Sequence, residues 1–168
     1  MIAWRLARAI DRPAAFSGAG AFQYGARWNS PGRYAVCASV NLSTAALEIL
    51  AHAATPRAIP RDELAIRVVI PDDMAIERVE IPQLPRDWQE PSHPACQALG
   101  DAWIKRNRSA VLDVPSAVVP QDRNVVLNPR HPDFARIDTS DPGSPFRWDP
   151  RLISYLTDTR SRLLTTER

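Results

Sequence analysis

Short apolar runs separated by prolines dominate the hydrophobic pattern of this chain. Such runs predict β-strands of a few residues each, at residues 2–7, 34–40, 63–70, 74–81, 110–114, 117–119 and 124–127. The turn Pro71-Asp72-Asp73 joins two of these strands, which we expect to pair or to lie close together. Because proline lacks a backbone donor and restricts the preceding residue, the sixteen prolines predict short elements and few long helices.

Two segments have the spacing of amphipathic helices. The first runs from Leu42 to about Ala54, with Asn41 or Ser43 as the N-cap. The second spans residues 93–107 and carries its apolar side chains on one side, although Gly100 weakens its helical preference. Residues from Pro150 onward predict a polar helical tail. The pattern indicates one α+β (mixed α/β) domain with short strands and two main helices, without an internal repeat.

Composition narrows the class of protein. With 168 residues, 45% hydrophobic and 24% charged, the chain has the usage of one globular domain. Two cysteines, Cys37 and Cys96, form no disulfide framework and no zinc-ligand spacing, so we expect no metal site. Without a signal-like segment or eighteen consecutive apolar residues, the expected location is cytoplasmic, away from membranes.

Almost all of the basic residues of the chain are arginines. Lys+Arg 21 against Asp+Glu 19 leaves a net charge of +2, and Lys105 is the only lysine. This balance argues against non-specific nucleic-acid binding. The arginines either serve an anionic ligand or reflect the base composition of the genome.

A glycine-rich loop at residues 17–32 contains the first candidate binding residues. It matches neither GxGxxG before a helix nor GxxxxGK[ST], so a common phosphate loop is not indicated. Within it, Arg27 is followed by Trp28 and Asn29, in a segment that can wrap a ligand. Arg27 and Arg5 either bind a pyrophosphate or are ordinary surface arginines.

The first predicted helix carries the candidate carboxylate. Thr44, Glu48 and His52 share one stripe, which is either a solvated face or a face that presents Glu48 to a cleft. His52 is a general-base candidate or a surface residue. Ser116 lies among apolar residues without a GxSxG elbow, so it is a turn residue rather than a hydrolase nucleophile.

Four sequence segments in this order resemble the RES domain family. They are Trp4-Arg5-Leu6, residues 25–32 (GARWNSPG), residues 44–50 (TAALEIL) and residues 114–120 (VPSAVVP), followed by residues 124–129 (NVVLNP), residues 131–134 (HPDF) and, near the end, Phe146 and residues 149–152. The resemblance covers residues 2–153 and leaves residues 154–168 as a C-terminal tail. The Arg, Glu and Ser after which the family is named correspond here to Arg27, Glu48 and Ser116.

The resemblance implies a fold, an activity and a partner. Family members resemble ADP-ribosyltransferase toxins in fold and are toxins of type II toxin–antitoxin pairs, whose antitoxin carries an Xre-like helix-turn-helix domain. They consume NAD+ by hydrolysis or phosphorolysis of the nicotinamide–ribose bond, without a metal, or transfer ADP-ribose to a protein. The implied catalytic residues are Arg27, Glu48 and Ser116. The implied NAD+-binding residues are Arg5, Arg27, Trp28, Asn29, Cys37, Glu48, Ser116 and Asn124.

One position departs from the family pattern. Where the family commonly has a tyrosine, about ten residues after the loop arginine, this chain has Cys37. A cysteine does not stack on a ring as tyrosine does. Either Tyr24 or Tyr34 compensates, or activity is reduced. The alternative from another class of function is therefore a catalytically inactive module that binds an antitoxin or a nucleotide.

Overall fold

A seven-stranded sheet forms the framework of the protein. The computed structural model describes residues 1–53, 59 and 61–153. The strands are β1 Ile2–Arg8, β2 Val36–Ser39, β3 Glu63–Val69, β4 Ile76–Arg78, β5 Val111–Pro115, β6 Arg123–Leu127 and β7 Ser144–Pro145. Their order across the sheet is β4-β5-β6-β2-β1-β3-β7, and every neighbouring pair is antiparallel except β4 with β5.

The helices lie between the strands along the chain. They are α1 Ala19–Tyr24, α2 Leu42–His52 and α3 Pro94–Arg106, with 3-10 turns at Ala9–Ala14, Ile81–Gln83 and Pro132–Arg136. His93 caps α3 by accepting from the Ala95 amide, and Asn107 ends it in the left-handed conformation. The α+β class with two main helices is therefore confirmed. None of the helices within the described ranges is long and apolar enough to cross a membrane.

The two faces of the sheet are both covered, because successive side chains along each strand point in opposite directions. On one face, an apolar cluster forms around Ala3, Val68, Val125 and Leu127. On the other face, α2 packs through Ala45 and Ala46 on Leu6 and Ala65. Beside it, α3 packs on the same face, on a cluster that contains Trp28, Trp88, Trp103, Leu112, Val114 and Val126.

Gly100 is the point of closest approach between α3 and the glycine-rich loop. A Cβ atom built on Gly100 would lie 1.7 Å from the carbonyl oxygen of Trp28, which is fixed backbone. The glycine that weakens the helix locally is thus required by packing. It lets α3 press against the segment that carries Arg27.

The structure corrects three details of the sequence-based prediction. The predicted strand at residues 74–81 is shorter, as β4, and it does not pair with β3. Both edges of β3 are taken, by β1 and β7, and β4 pairs with β5 instead. The segment 17–32 is not loop throughout, since it contains α1. Strand 34–40 begins only at Val36 and ends at Ser39.

The predicted strand at residues 117–119 is also wrong. Two of its backbone amides bond to a side chain rather than to a neighbouring strand. Val118 N and Val119 N donate to Ser116 Oγ at 3.2 and 3.1 Å. Such a local serine bond competes with sheet pairing. Helix α2 ends at His52, and Ala54 lies outside the described residues. Residues 150–153 are helical, whereas the tail 154–168 lies outside the described residues.

Candidate functional site

A cleft opens where β1 and β2 diverge. These strands share one registered pair, Trp4 with Ser39, whereas β1 and β3 share seven. Helix α2 forms one wall and the glycine-rich loop another, around a volume of about 420 Å³. The lining residues are Trp4, Arg5, Leu6, Ala26, Arg27, Trp28, Cys37, Ala38, Ser39, Ala45, Glu48, Ile49, His52, Ala53, Glu63, Ala117, Asn124 and Val126.

Glu48 lies in this cleft and is held by two donors. Its Oε1 accepts from Ser116 Oγ at 2.8 Å and from Asn124 Nδ2 at 2.7 Å. The stripe on α2 is therefore a cleft-facing stripe at Glu48, not a solvated face. The donors fix one carboxylate oxygen, and no partner for Oε2 is found among the described residues.

The orientation of Asn124 is set by a residue that the sequence analysis missed. Ser39 Oγ donates to Asn124 Oδ1 at 2.7 Å, which leaves the amide nitrogen of Asn124 to face Glu48. Ser39 and Asn124 are opposite each other in the β2–β6 register. This pairing is non-local, so a single sequence carries no signal for it.

Ser116 acts as a support for Glu48. The residue is fully buried, and its hydroxyl accepts from two backbone amides while it donates to Glu48. The acceptor of its proton is the Glu48 carboxylate, but the fully buried hydroxyl does not line the cleft where a substrate would bind, in agreement with the turn-residue interpretation. The geometry makes Ser116 a positioning residue for the carboxylate.

Asp122 ties the start of α2 to the loop that carries Ser116. Its carboxylate accepts from Asn41 Nδ2 at 2.5 Å and from Thr44 Oγ1, and its carbonyl accepts from the Ser116 amide at 3.0 Å. The helix that provides Glu48 and the loop that provides its donor are thereby held together. Asn41 is the N-cap residue of α2 by position, although its side chain serves Asp122 rather than the helix.

Arg27 holds a loop at the rim of the cleft. Its Nη1 donates to the carbonyls of Trp88 at 2.8 Å and Glu90 at 2.6 Å, and its Nη2 donates to Gln89 O at 3.1 Å. Gln89 Nε2 in turn donates to Ala117 O at 2.7 Å. Within the described residues no carboxylate pairs with Arg27, so its charge and its Nε–H are available to an anion.

Arg5 spans the gap between the diverging strands. Its Nη1 donates to Cys37 O at 2.7 Å, while its buried Nε has no hydrogen-bond partner in the described part of the chain. Burial lowers the pKa of Arg5, although an arginine stays protonated. The Cys37 thiol is accessible in the cleft, and the surrounding protein raises its pKa; the charge of Arg5 opposes the rise and that of Glu48 adds to it.

Of the other predicted binding residues, Trp28 and Asn29 differ in whether they reach the cleft. Trp28 lines the cleft but is only 3% exposed, because most of its ring packs in the core. Asn29 is buried outside the cleft lining, where its Nδ2 donates to the carbonyls of Ala21, Ser30 and Arg33 and holds the loop together.

Neither tyrosine proposed as a substitute for the family tyrosine lies in the cleft. Tyr24 is 76% exposed on α1. Tyr34 stacks on Phe22, with ring centroids 4.5 Å apart, and lies under the Arg130 guanidinium. Compensation for Cys37 by either ring is not supported by their positions.

Two further titratable side chains line the end of the cleft near the C-terminus of α2. His52 Nδ1 lies 2.7 Å from the Glu48 carbonyl, and the residue is exposed. Glu63, at the first position of β3, is buried and was not among the predicted site residues. No group of three or more His, Cys, Asp or Glu side chains is placed to hold a metal ion in the ranges that the structure describes.

Comparison with known proteins identifies the family of the chain. The sequence matches the RES domain over residues 2–149. The chain belongs to the RES domain family. It is 36% identical over 154 residues to "Toxin Res" of Photorhabdus laumondii, covering 91% of this chain and 97% of that protein. It is 34% identical over 140 residues to the "Prs ADP-ribosylating toxin" of a Sphingobium species, covering 82% and 86%.

The fold is shared with a solved toxin–antitoxin structure. The structure superimposes on a chain of the M. tuberculosis MbcT–MbcA toxin–antitoxin complex with a TM-score of 0.70 and 19% sequence identity, covering 94% of this chain and 88% of that one. At that identity the likeness shows the fold alone. Together with the family match, it confirms the expected likeness to the ADP-ribosyltransferase toxin fold, and the curated relatives place the chain among the RES toxins.

Proposed function

We propose that this RES-domain protein is a toxin that consumes NAD+ by cleaving its nicotinamide–ribose bond and so arrests growth. The observation that carries the proposal is the Glu48 carboxylate, held by Ser116 and Asn124 in a cleft that also contains two arginines. The cleft volume of about 420 Å³ falls within the range of small-molecule sites, roughly 300–1,000 Å³.

Glu48 suits the charge that develops when this bond breaks. As the C1′–N bond lengthens, its electron pair moves to the nicotinamide nitrogen, and the ribose acquires oxocarbenium character. A carboxylate fixed beside the ribose stabilises that positive charge or accepts from a ribose hydroxyl. Nicotinamide leaves as a neutral ring, so departure needs neither a proton donor nor a metal.

Arg5 and Arg27 suit the anionic part of the dinucleotide. Both guanidiniums line the cleft, and each retains N–H groups that the described residues do not use. Charge-assisted bonds from such groups to phosphate oxygens are roughly twice as strong as neutral ones. Trp28 and Ser39 then form part of the wall, and Asn29 acts by holding the loop of Arg27 in place.

A toxin of this kind requires an inhibitor in the cell that makes it. The fold neighbour was solved as a toxin–antitoxin complex. We therefore propose an antitoxin partner, of the Xre-like helix-turn-helix type, that acts with this chain in the cytoplasm. When the product of the neighbouring gene is co-expressed, growth should recover, and that product should co-purify with the chain.

The deciding experiment compares NAD+ levels within minutes of inducing the wild type or its Glu48→Gln variant. We expect a rapid loss of NAD+ and growth arrest with the wild type, and neither with Glu48→Gln. The matched control is Glu77→Gln, since Glu77 also accepts from a serine hydroxyl, that of Ser109, but lies on β4 outside the cleft. NAD+ loss that persists in Glu48→Gln would contradict the proposal.

The second candidate function is ADP-ribosylation of a cellular protein. It is favoured by the Sphingobium relative, whose name describes an ADP-ribosylating toxin. NAD+ labelled on the adenylate, incubated with lysate, separates the activities: a transferase leaves the label on a protein, whereas hydrolysis and phosphorolysis yield ADP-ribose and its 1″-phosphate. If the protein binds NAD+ but shows neither turnover nor toxicity, it is instead a catalytically inactive module. That is the alternative raised by the cysteine at position 37.

A further inference from the structure

Glu63 lines the cleft, and the proposed reaction leaves its carboxyl group unused. It begins β3, lines the cleft beside the end of α2, and is only 4% exposed. Its backbone is fixed, because Glu63 O accepts from the Phe146 amide at 2.8 Å and the residue is in register with Arg8 of β1. Glu63 is therefore built into the cleft wall.

The carboxyl group of Glu63 is incompletely paired. The Trp148 indole hydrogen-bonds to it, but its Oε2 is buried and has no partner in the described part of the chain. A buried polar atom without a partner is costly, so such atoms are rare and call for an explanation. A ligand group that enters the cleft would supply the missing partner.

The surroundings of Glu63 favour its neutral form. Burial raises its pKa to about 7; the Trp148 bond opposes the rise, and the Asp62 carboxylate adds to it. Arg8 lies across the register but is within ion-pair distance of Asp62, at 3.7 Å.

Among the described residues that line the cleft, α2 contributes two further titratable groups. They are Glu48, a second carboxylate, and His52 at the last turn. The negative end of the α2 dipole also disfavours an anion there. Phosphates therefore belong near the arginines, and the group that meets Glu63 is a neutral acceptor.

We infer that Glu63 is a ligand-binding residue, whose carboxylic acid form donates a hydrogen bond to a neutral acceptor of the bound dinucleotide, either the nicotinamide carboxamide oxygen or an adenine ring nitrogen. The inference rests on the proposed function. Ionised Glu63 has no proton to donate and repels the phosphates of the ligand. Binding therefore weakens where Glu63 loses its proton.

The test is the pH dependence of NAD+ affinity in the absence of turnover. Calorimetry compares the full-length Glu48→Gln protein with Glu48→Gln/Glu63→Gln between pH 6 and pH 9. Glutamine has the shape of the protonated acid and donates at every pH. We expect Kd to increase with pH above about 7 where Glu63 is present, approaching tenfold per pH unit, and to stay level in the double variant. ADP-ribose and nicotinamide mononucleotide then identify which half of the ligand carries the effect.

The outcomes separate the two proposals. The same pH dependence in both proteins, or a tenfold weaker affinity of the double variant already at pH 6, would overturn the role of Glu63 while NAD+ turnover by the wild type still stands. Absence of both turnover by the wild type and binding would overturn the proposed function and this inference together. Equal melting temperatures at pH 4, where both side chains are neutral, show that Glu63→Gln has left the fold intact.

Discussion

Ser116 Oγ donates to Glu48 Oε1 at 2.8 Å across 68 positions of the sequence. Two of the three residues that name the family are thus in direct contact. The third, Arg27, connects to them indirectly, since it holds the carbonyl of Gln89, whose side chain bonds to Ala117. The RES residues therefore form one hydrogen-bonded system around the cleft.

Removing the Ser116 hydroxyl should lower turnover while leaving the fold in place. In Ser116→Ala, Glu48 keeps only the Asn124 donor, and we expect a loss of about 1–3 kcal/mol of transition-state stabilisation, roughly 5- to 150-fold in kcat. The measurement is the initial rate of NAD+ consumption by the purified protein. Ser116→Thr, which retains a hydroxyl, should recover part of the rate.

The control for that change is Ser109→Ala. Ser109 also donates to a glutamate, Glu77, but it does so outside the cleft. Its loss should affect the melting temperature and spare kcat. Equal kcat in Ser116→Ala and the wild type would show that the contact with Glu48 is dispensable.

The parts of the fold that follow local pattern could be predicted from the sequence. Helices α2 and α3 arise from apolar spacing and stop signals, and β1, β3, β5 and β6 from short apolar runs between prolines and turns. The partner of β4 could not be predicted, because it depends on β7 covering the far edge of β3. Strand pairing at an edge is decided by what else in the chain competes for it.

The candidate site was predictable only as far as single residues have a sequence signature. Glu48 stood out as the one acid in α2, and the family resemblance identified its neighbours. Ser39, Gln89 and Asp122 were missed, because each acts through a partner 28 to 85 positions away. Glu63 was missed for another reason: an acid at the start of a strand has no local signal of burial, which the later segment carrying Trp148 helps to bring about.

Gln89 should influence catalysis without touching the ligand. In Gln89→Met the bond to Ala117 O is lost, and the loop that carries Ser116 gains freedom. We expect kcat to fall about fivefold, the equivalent of roughly 1 kcal/mol, with KM for NAD+ unchanged. Gln23→Met, on the exposed surface of α1, is the matched control. A change confined to KM would mean that Gln89 contacts the ligand instead.

Arg27 should influence both kinetic constants. A lysine ammonium cannot reach three consecutive carbonyls and also present a fork to a phosphate, so Arg27→Lys should lower kcat and raise KM. Steady-state kinetics of NAD+ consumption measures both. An unchanged KM would show that Arg27 does not bind NAD+ and acts only by holding the loop at residues 88–90.

Glu63 should make the stability of the free protein depend on pH. In the folded protein the pKa of Glu63 is about 7, against an ordinary value of 4.5. Between these values the unfolded chain has released the proton and the folded protein has kept it, so unfolding releases a proton and stability falls as pH rises. Above pH 7 the loss is complete, at no more than about 3 kcal/mol for a shift of this size, since screening by solvent at the cleft reduces it.

Glu63→Gln removes this titration. Its free energy of unfolding in urea should match the wild type near pH 4 and exceed it by up to about 3 kcal/mol at pH 8. The comparison at pH 4 is the internal control, since both side chains are then neutral. A stability difference that does not change between pH 4 and pH 8 would show that Glu63 ionises normally in the folded protein.

Cys37 gives a chemical test of where the ligand binds. Of the two thiols, Cys37 is accessible in the cleft and Cys96 is buried. A maleimide should therefore label one cysteine, and Cys37→Ser should abolish the labelling. Because the protein around Cys37 desolvates its thiol and raises its pKa, and the thiolate is the reactive form, labelling should be slow at pH 7 and should accelerate as the pH rises.

NAD+ should protect Cys37 from this reagent. Saturating NAD+ on the Glu48→Gln variant, which should bind without turnover, is expected to lower the labelling rate at least tenfold, because the dinucleotide covers the wall between Arg5 and Glu48. Mass spectrometry of the labelled peptide identifies the site. Rapid labelling of Cys37 in the presence of bound NAD+ would mean that the ligand lies elsewhere on the protein, and the cleft would lose its assignment as the NAD+ site.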